Sequence, residues 1–297
     1  MKCRIGFERF GVVALLVLMM TVGHARAQWV EGTVRFANEN QPASYARVDL
    51  PYGSLVQYAD STGRFLVDTT GWTDGSMRVT TIGGAPVEVR MSEWVQGDRS
   101  IFMIRPAVTL DSLQVVAKFR GKPRWINDLL KGGKKGAYVP QVGTVLITRV
   151  KPAPGKSGLL KRIEVHFEST PHPAAIMRLR VFRYNAKRNV PGEEVQLGQI
   201  FFHDRKGASR VDLTMHGLFF PPDGLCIGVE WVGVNAMQWG PGQPRLASPA
   251  IGILRPKEMP QQTWSWQPGQ GWVPFQSSSK VQQPENLRIG VEVQPVE

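Results

Sequence analysis

The sequence predicts an all-β protein of two sandwich domains, and two observations carry that prediction. The chain has 31 glycines and 22 prolines in 297 residues, above a combined average of roughly 12%. Many short strands joined by turns require such a composition, and long uninterrupted helices are incompatible with it. Apolar residues also recur with period two in one short run after another, the pattern of half-buried strands.

The chain opens on a secretory pattern. Lys2, Arg4 and Arg9 precede the apolar stretch 10–22, and Ala25-Arg26-Ala27 places small residues around a cleavage point. Residues 1–27 are therefore expected to be a signal peptide, with the mature start at Gln28. The alternative is a membrane anchor, which needs about 20 apolar residues; this run is shorter. Cys3 does not stand at the end of the apolar core, as a lipoprotein cysteine would. No later segment is long and apolar enough to span a bilayer as a helix.

Cleavage leaves Cys226 as the single thiol, so no internal disulfide is expected. Cys226 lies in the apolar run 224–231 and is expected to be a buried small hydrophobe rather than a nucleophile. The net charge of +12 is unevenly spread. Residues 28–117 carry seven basic and ten acidic side chains, residues 118–135 seven and one, and residues 136–297 eighteen and twelve. Basic character thus belongs to a short middle segment and to the second half.

In the first half, strands are expected over 30–34, 45–50, 77–81, 87–91, 100–104 and 113–117, with turn signals between them. The organising stretch is 56–67, expected as a strand, a tight turn and a strand: a central hairpin. Gly63 supplies the backbone freedom of the turn. Asp60 can accept hydrogen bonds from turn amides two or three residues on. Phe65 and Val67 share one face as its anchor.

The runs 30–34 and 46–50, the stretch Ala59-Asp60-Ser61-Thr62-Gly63-Arg64-Phe65 and the closing Leu110-Asp111-Ser112-Leu113-Gln114-Val115-Val116 resemble the carboxypeptidase D regulatory-like domain. The resemblance covers about 90 residues, assigned to a domain over 28–117. It implies a transthyretin-like sandwich of about seven strands, of a kind that recurs in the gram-negative cell envelope. It implies no peptidase activity, since this module is an accessory in the enzymes that carry it.

Residues 118–136 are expected to be a basic linker. Lys118, Arg120, Lys122, Arg124, Lys131, Lys134 and Lys135 alternate there with glycines, and residues 125–130 suit a short helix. Such an arm is either a solvated connector or a contact for anionic surfaces such as lipid or acidic polysaccharide. Secretion argues against nucleic acid.

Strands resume in a domain assigned to 137–297. Ile163, Val165 and Phe167 alternate with Arg162, Glu164 and His166; Met177, Leu179 and Val181 alternate with Arg178, Arg180 and Phe182. The run 225–234 is nearly continuously apolar and is expected at the centre of a sheet. Eight or more strands fit a second, jelly-roll-like sandwich. This half resembles, less specifically, a domain of unassigned function that follows the regulatory-like module in some envelope proteins; the residues concerned include Leu179-Arg180-Val181-Phe182-Arg183 and Gly228-Val229-Glu230-Trp231.

Motifs for catalysis are sparse. His166, His172, His203 and His216 form no short-spaced metal-binding pattern, and no metal or other cofactor is expected. Gly155-Lys156-Ser157 lacks the leading glycine and the following helix of a phosphate-binding loop. Glu193 and Glu194 are turn neighbours, an unsuitable geometry for glycoside hydrolysis. A hydrolytic site would have to be assembled from distant residues such as His203, Asp204 and Glu230.

The most suggestive feature is aromatic. Trp264 and Trp266 share a strand face, Trp272 follows across a Gly/Pro turn, and Trp239 sits in Trp239-Gly240-Pro241-Gly242. These rings either fill the core or stack on sugar rings and partner side chains. The sequence therefore points to a secreted, non-enzymatic envelope module, periplasmic or outer-membrane-associated, whose partner is an envelope protein or a glycan. A carbohydrate-binding protein is the first alternative and a hydrolase the second.

Overall fold

The computed structural model describes residues 29–51, 56–70, 74–105, 121–126, 129, 133–152, 157–169, 175–195, 197–202, 206–234, 249–256, 260, 262–267, 270–278 and 283–295. The expected leader, the strand over 113–117, Trp239, Lys118, Arg120, Lys131, His172, His203 and Asp204 lie outside these residues. The described chain is nearly all β, arranged as sandwiches.

Seven strands build the first sandwich: β1 (Trp29–Phe36), β2 (Arg47–Asp49), β3 (Val56–Tyr58), β4 (Arg64–Asp68), β5 (Ser76–Thr80), β6 (Val87–Arg90) and β7 (Ser100–Met103). They form a three-stranded sheet, β4-β1-β7, and a four-stranded sheet, β3-β2-β5-β6. Alternation sends Val30, Val34, Phe65, Val67, Met77 and Val79 into the core between them.

The stretch 56–67 departs from the expected hairpin. β3 pairs with β2, whereas β4 pairs with β1 in the opposite sheet. The tight turn is present, with Gly63 at φ +80°. The Asp60 carboxylate accepts bonds from the Thr62 amide at 2.7 Å and the Arg64 amide at 2.9 Å. Its role is to pass the chain from one layer to the other. A second departure follows β6, where the chain turns into a short helix, α1 (Met91–Gln96). Met91 and Trp94, three apart, share its buried side, and Trp94 stacks on Phe65 at 5.4 Å between ring centroids. Gly32 makes room for these rings, since a Cβ there would lie 2.4 Å from Trp94.

The second sandwich contains β8 (Arg124–Ile126), β9 (Gly133–Tyr138), β10 (Val145–Val150), β11 (Gly158–Phe167), β12 (Ala175–Asn185), β13 (Val190–Glu194), β14 (Phe201–Phe202), β15 (Gly207–Asp212), β16 (Phe219–Phe220), β17 (Leu225–Val234), β18 (Ile251–Pro256), β19 (Thr263–Gln267), β20 (Gly271–Pro274), β21 (Asn286–Leu287) and β22 (Ile289–Pro295). One sheet runs β13-β12-β17-β10-β19-β20, with β14 beside β12; the other runs β21-β18-β11-β22-β8, with β15 and β16 beside β11 and β9 beside β18. Where a linker helix was expected over 125–130, residues 125 and 126 lie in the strand β8. These residues instead pair with β22, and residues 133–138 pair with β18. Sheet hydrogen bonding satisfies both segments, so the second sandwich draws in chain from before residue 137.

Alternation decides which face each side chain takes. Met177, Leu179, Val181, Ile227, Val229 and Trp231 face the main core between the two sheets. Their neighbours face the other way and form a separate cluster around Val145, Ile147, Phe182, Cys226 and Trp264. β17 lies between β12 and β10 with both faces covered, which explains its continuous apolar run. One residue of that run is an exception, and it organises the site.

Candidate functional site

Glu230 on β17 is fully buried. It stands directly across from Arg178 on β12. Arg178 donates to the Glu230 carboxylate from Nε at 3.0 Å and from Nη2 at 2.7 Å, in a two-pronged contact. Arg180, two residues along the same strand face, donates to the same carboxylate through Nη1. Its Nε and Nη2 go to Glu194 at 2.5 and 2.9 Å. The Arg-x-Arg spacing on a strand thus points both guanidinium groups at one acid.

The other half of the site comes from the first sandwich. The outer face of its four-stranded sheet carries Arg47, Asp49 and Tyr58, and it packs against the outer face of the β12-β17-β10 sheet. Tyr58 donates its hydroxyl hydrogen to Glu230 Oε1 at 2.5 Å. Arg47 Nη1 donates to the Gly143 carbonyl at 2.9 Å and lies 3.7 Å from Glu230. Arg47 Nε reaches Asp49 at 2.8 Å, and the guanidinium lies over the Trp266 ring at 4.7 Å. Arg178 Nη1 donates to the Tyr45 carbonyl at 3.2 Å, and Tyr45 meets Phe201 edge-on at 5.1 Å. Gly143 adopts φ +85°, and a Cβ there would lie 2.9 Å from Val56. Only glycine suits both that backbone and that approach.

This environment fixes the charge states. Burial alone would raise the Glu230 pKa, but Arg178, then Arg180 and Arg47, and the Tyr58 hydrogen bond outweigh it. Glu230 is therefore held well below the usual carboxylate range. Burial, reinforced by the Glu230 charge, raises the Tyr58 hydroxyl above its ordinary value and keeps it a neutral donor. A general base needs access to a substrate proton and a pKa near working pH; Glu230 is fully buried and is held well below that range. His203 and Asp204, its suggested hydrolytic partners, lie outside the described residues.

Where the two outer faces do not meet, they leave a cleft of about 290 Å³. That is close to the lower end of ligand sites, roughly 300–1,000 Å³. Arg47, Arg78, Arg178 and Arg180 line it together with Trp266 and Trp272. Trp272 on β20 is directly opposite Trp266 on β19. Phe182 supports Trp272 edge-on at 5.1 Å. Both indoles are half-buried, and Arg47 lies over the Trp266 ring.

Three of the four expected aromatic residues are described, and the structure separates them. Trp266 and Trp272 line the cleft, whereas Trp264, although on the same face, is only 5% exposed and packs beneath them. Of the expected basic contacts, Lys122 is exposed, Arg124 sits on β8, and Lys134 and Lys135 sit on β9. These two strands pair with different partners, so the described residues do not form one continuous arm. Among the described residues no cluster of three or more metal-binding side chains occurs. The arginines of the cleft were not singled out from sequence. For Arg178 and Arg180 a signal was present, as charged residues two apart on an otherwise apolar strand; nothing local linked them to Arg47 and Arg78.

No family model matches the chain, and no curated protein does. Among solved structures, the chain is similar to the Clostridial cysteine protease Cwp84 after propeptide cleavage. That pair has 12% identity and a TM-score of 0.41, over 83% of this chain and 53% of the other, so the chain spans about half the length of that neighbour. A structure of carbohydrate-binding modules from the β-sandwich superfamily has 10% identity and a TM-score of 0.13, over 91% and 96% of the two chains. Neither likeness is close enough to carry an argument, and the site stands on its own geometry.

Proposed function

We propose that this chain is an exported, non-enzymatic interaction module of the gram-negative cell envelope, and that its partner is a carbohydrate. The observation that carries the second part is the Trp266–Trp272 pair, set in the wall of a cleft rather than sealed in the core. A sugar ring presents apolar C–H faces and a rim of hydroxyls. It calls for a flat aromatic surface beside convergent polar groups, as this cleft supplies. The leader pattern and the resemblance of residues 28–117 to an envelope module support the compartment. The commitment of Glu230 to structural hydrogen bonds supports a binding role over a hydrolytic one.

The test is calorimetric titration of the mature chain with a panel of oligosaccharides, repeated with Trp272→Ala. Loss of a central aromatic contact costs about 2 kcal/mol or more, roughly thirtyfold in affinity. Binding of the same sugars with unchanged affinity in Trp272→Ala, or no binding by the wild-type chain, rejects the reading.

A further inference from the structure

The charge lining the cleft narrows the class of sugar. Four guanidinium groups and two carboxylates, Asp49 and Glu194, line it, and Glu230 lies beneath. Three of the arginines are held by these acids. Arg178 and Arg180 spend all three nitrogens on Glu230, Glu194 and the Tyr45 carbonyl. Arg47 is fixed by Asp49, Gly143 and the Trp266 ring.

Arg78 is different. It is exposed on β5, with Asp49 of β2 and Glu88 of β6 as its cross-strand neighbours. Its side chain forms no ion pair or hydrogen bond with either, nor with any other of the described residues. Asp49 is occupied by Arg47, and Glu88 is an exposed side chain outside the cleft lining. The fixed charges of the cleft therefore leave one positive charge over, and it resides on a guanidinium whose donors are all open.

We infer that the cleft selects an acidic sugar of the uronic-acid class, its carboxylate received by Arg78 while its ring lies against Trp272. This rests on the carbohydrate reading above. A guanidinium presents a planar fork of donors that matches a carboxylate, and such charge-assisted pairs are the stronger hydrogen bonds. A carboxylate brings one negative charge, which balances the single excess. A phosphate ester brings about −1.5 to −2 and would leave the cleft over-neutralised. A neutral sugar keeps the aromatic contact and forgoes the ion pair.

The experiment titrates the mature chain with methyl glucuronide, methyl glucoside and glucose 6-phosphate, at low and at raised salt. The expected result is that the glucuronide binds about tenfold more tightly than the glucoside, a difference of ~1.4 kcal/mol, and more tightly than the phosphate ester. Raised salt should shrink the preference. Arg78→Gln should remove the preference, weakening the glucuronide by about tenfold more than the glucoside, and Arg78→Lys should fall between. Equal affinity for glucuronide and glucoside, a preference that survives Arg78→Gln, or a preference for the phosphate ester overturns this inference and leaves the carbohydrate reading intact. Absence of binding to all three sugars overturns both.

Discussion

The hydroxyl of Tyr58 donates to the carboxylate of Glu230 across 172 residues of sequence, at 2.5 Å, and in doing so joins the two sandwiches. Both groups are buried, and Glu230 simultaneously receives Arg178 and Arg180. A buried carboxylate with three cationic neighbours is costly to remove, because the cations are then left unpaired in a low-dielectric seam.

Replacing Glu230 with Ala should therefore destabilise the protein by roughly 3–5 kcal/mol. Denaturant titration checks this. A loss below about 1 kcal/mol would show that Arg178 and Arg180 find other partners.

Tyr58→Phe removes one hydrogen bond to a charged group and keeps the ring. The expected loss is about 1.5–3 kcal/mol. It should be read most clearly as faster hydrogen exchange along the facing strands β2, β3 and β12, where the two halves meet. Exchange confined to the first sandwich would contradict the role of Tyr58 as a link between them.

Acid should weaken this seam. The folded pKa of Glu230 lies below its ordinary value of 4.5, so its contribution is fully present above that value and is lost as the pH falls through the folded pKa. The stability gap between wild type and Glu230→Gln should be constant near neutrality and narrow progressively below about pH 4.5. A gap that widens on acidification would reverse the assigned sign. Urea titrations of both proteins from pH 7 downward measure it.

The two tryptophans on β19 should separate cleanly by phenotype. Trp264→Ala opens a cavity in a packed cluster and should cost about 3–5 kcal/mol of stability. Trp266→Ala removes a half-buried ring and the platform beneath Arg47, so its effect on stability should be smaller. Equal losses of stability in the two variants would contradict the burial difference.

Cys226 is buried, and burial pushes its thiol up to about 12. Since the thiolate is the reactive form, the native protein should resist alkylation at neutral pH and react once unfolded. Rapid native-state labelling would place the sulfur at an accessible surface.

Much of the fold was legible because period-two alternation reports burial directly. Ile163, Val165 and Phe167 are buried, as are Met177, Leu179 and Val181. The stretch around Asp60 shows where alternation stops being informative. The Asp60 turn and its Gly63 were readable, but a turn does not state whether the strands it joins share a sheet. Here long-range pairing of β4 with β1 decided that. Residues 124–126 illustrate the same limit, since their extended state comes from β22, over 160 positions away. In the site, Trp266 and Trp272 were visible as a pair. Arg47, Arg78, Arg178 and Arg180 were not, because their convergence depends on how one sandwich seats on the other, which no local pattern encodes.

The cleft draws Arg47 and Arg78 from one sandwich and Trp266 and Trp272 from the other. An occupant would therefore touch both bodies at once, like a rivet through two plates. Whatever it gains from that double grip adds to the work needed to pull the plates apart, and prising them apart discharges the occupant. Any force that parts the two sandwiches would then be felt as a change in how long an occupant is retained.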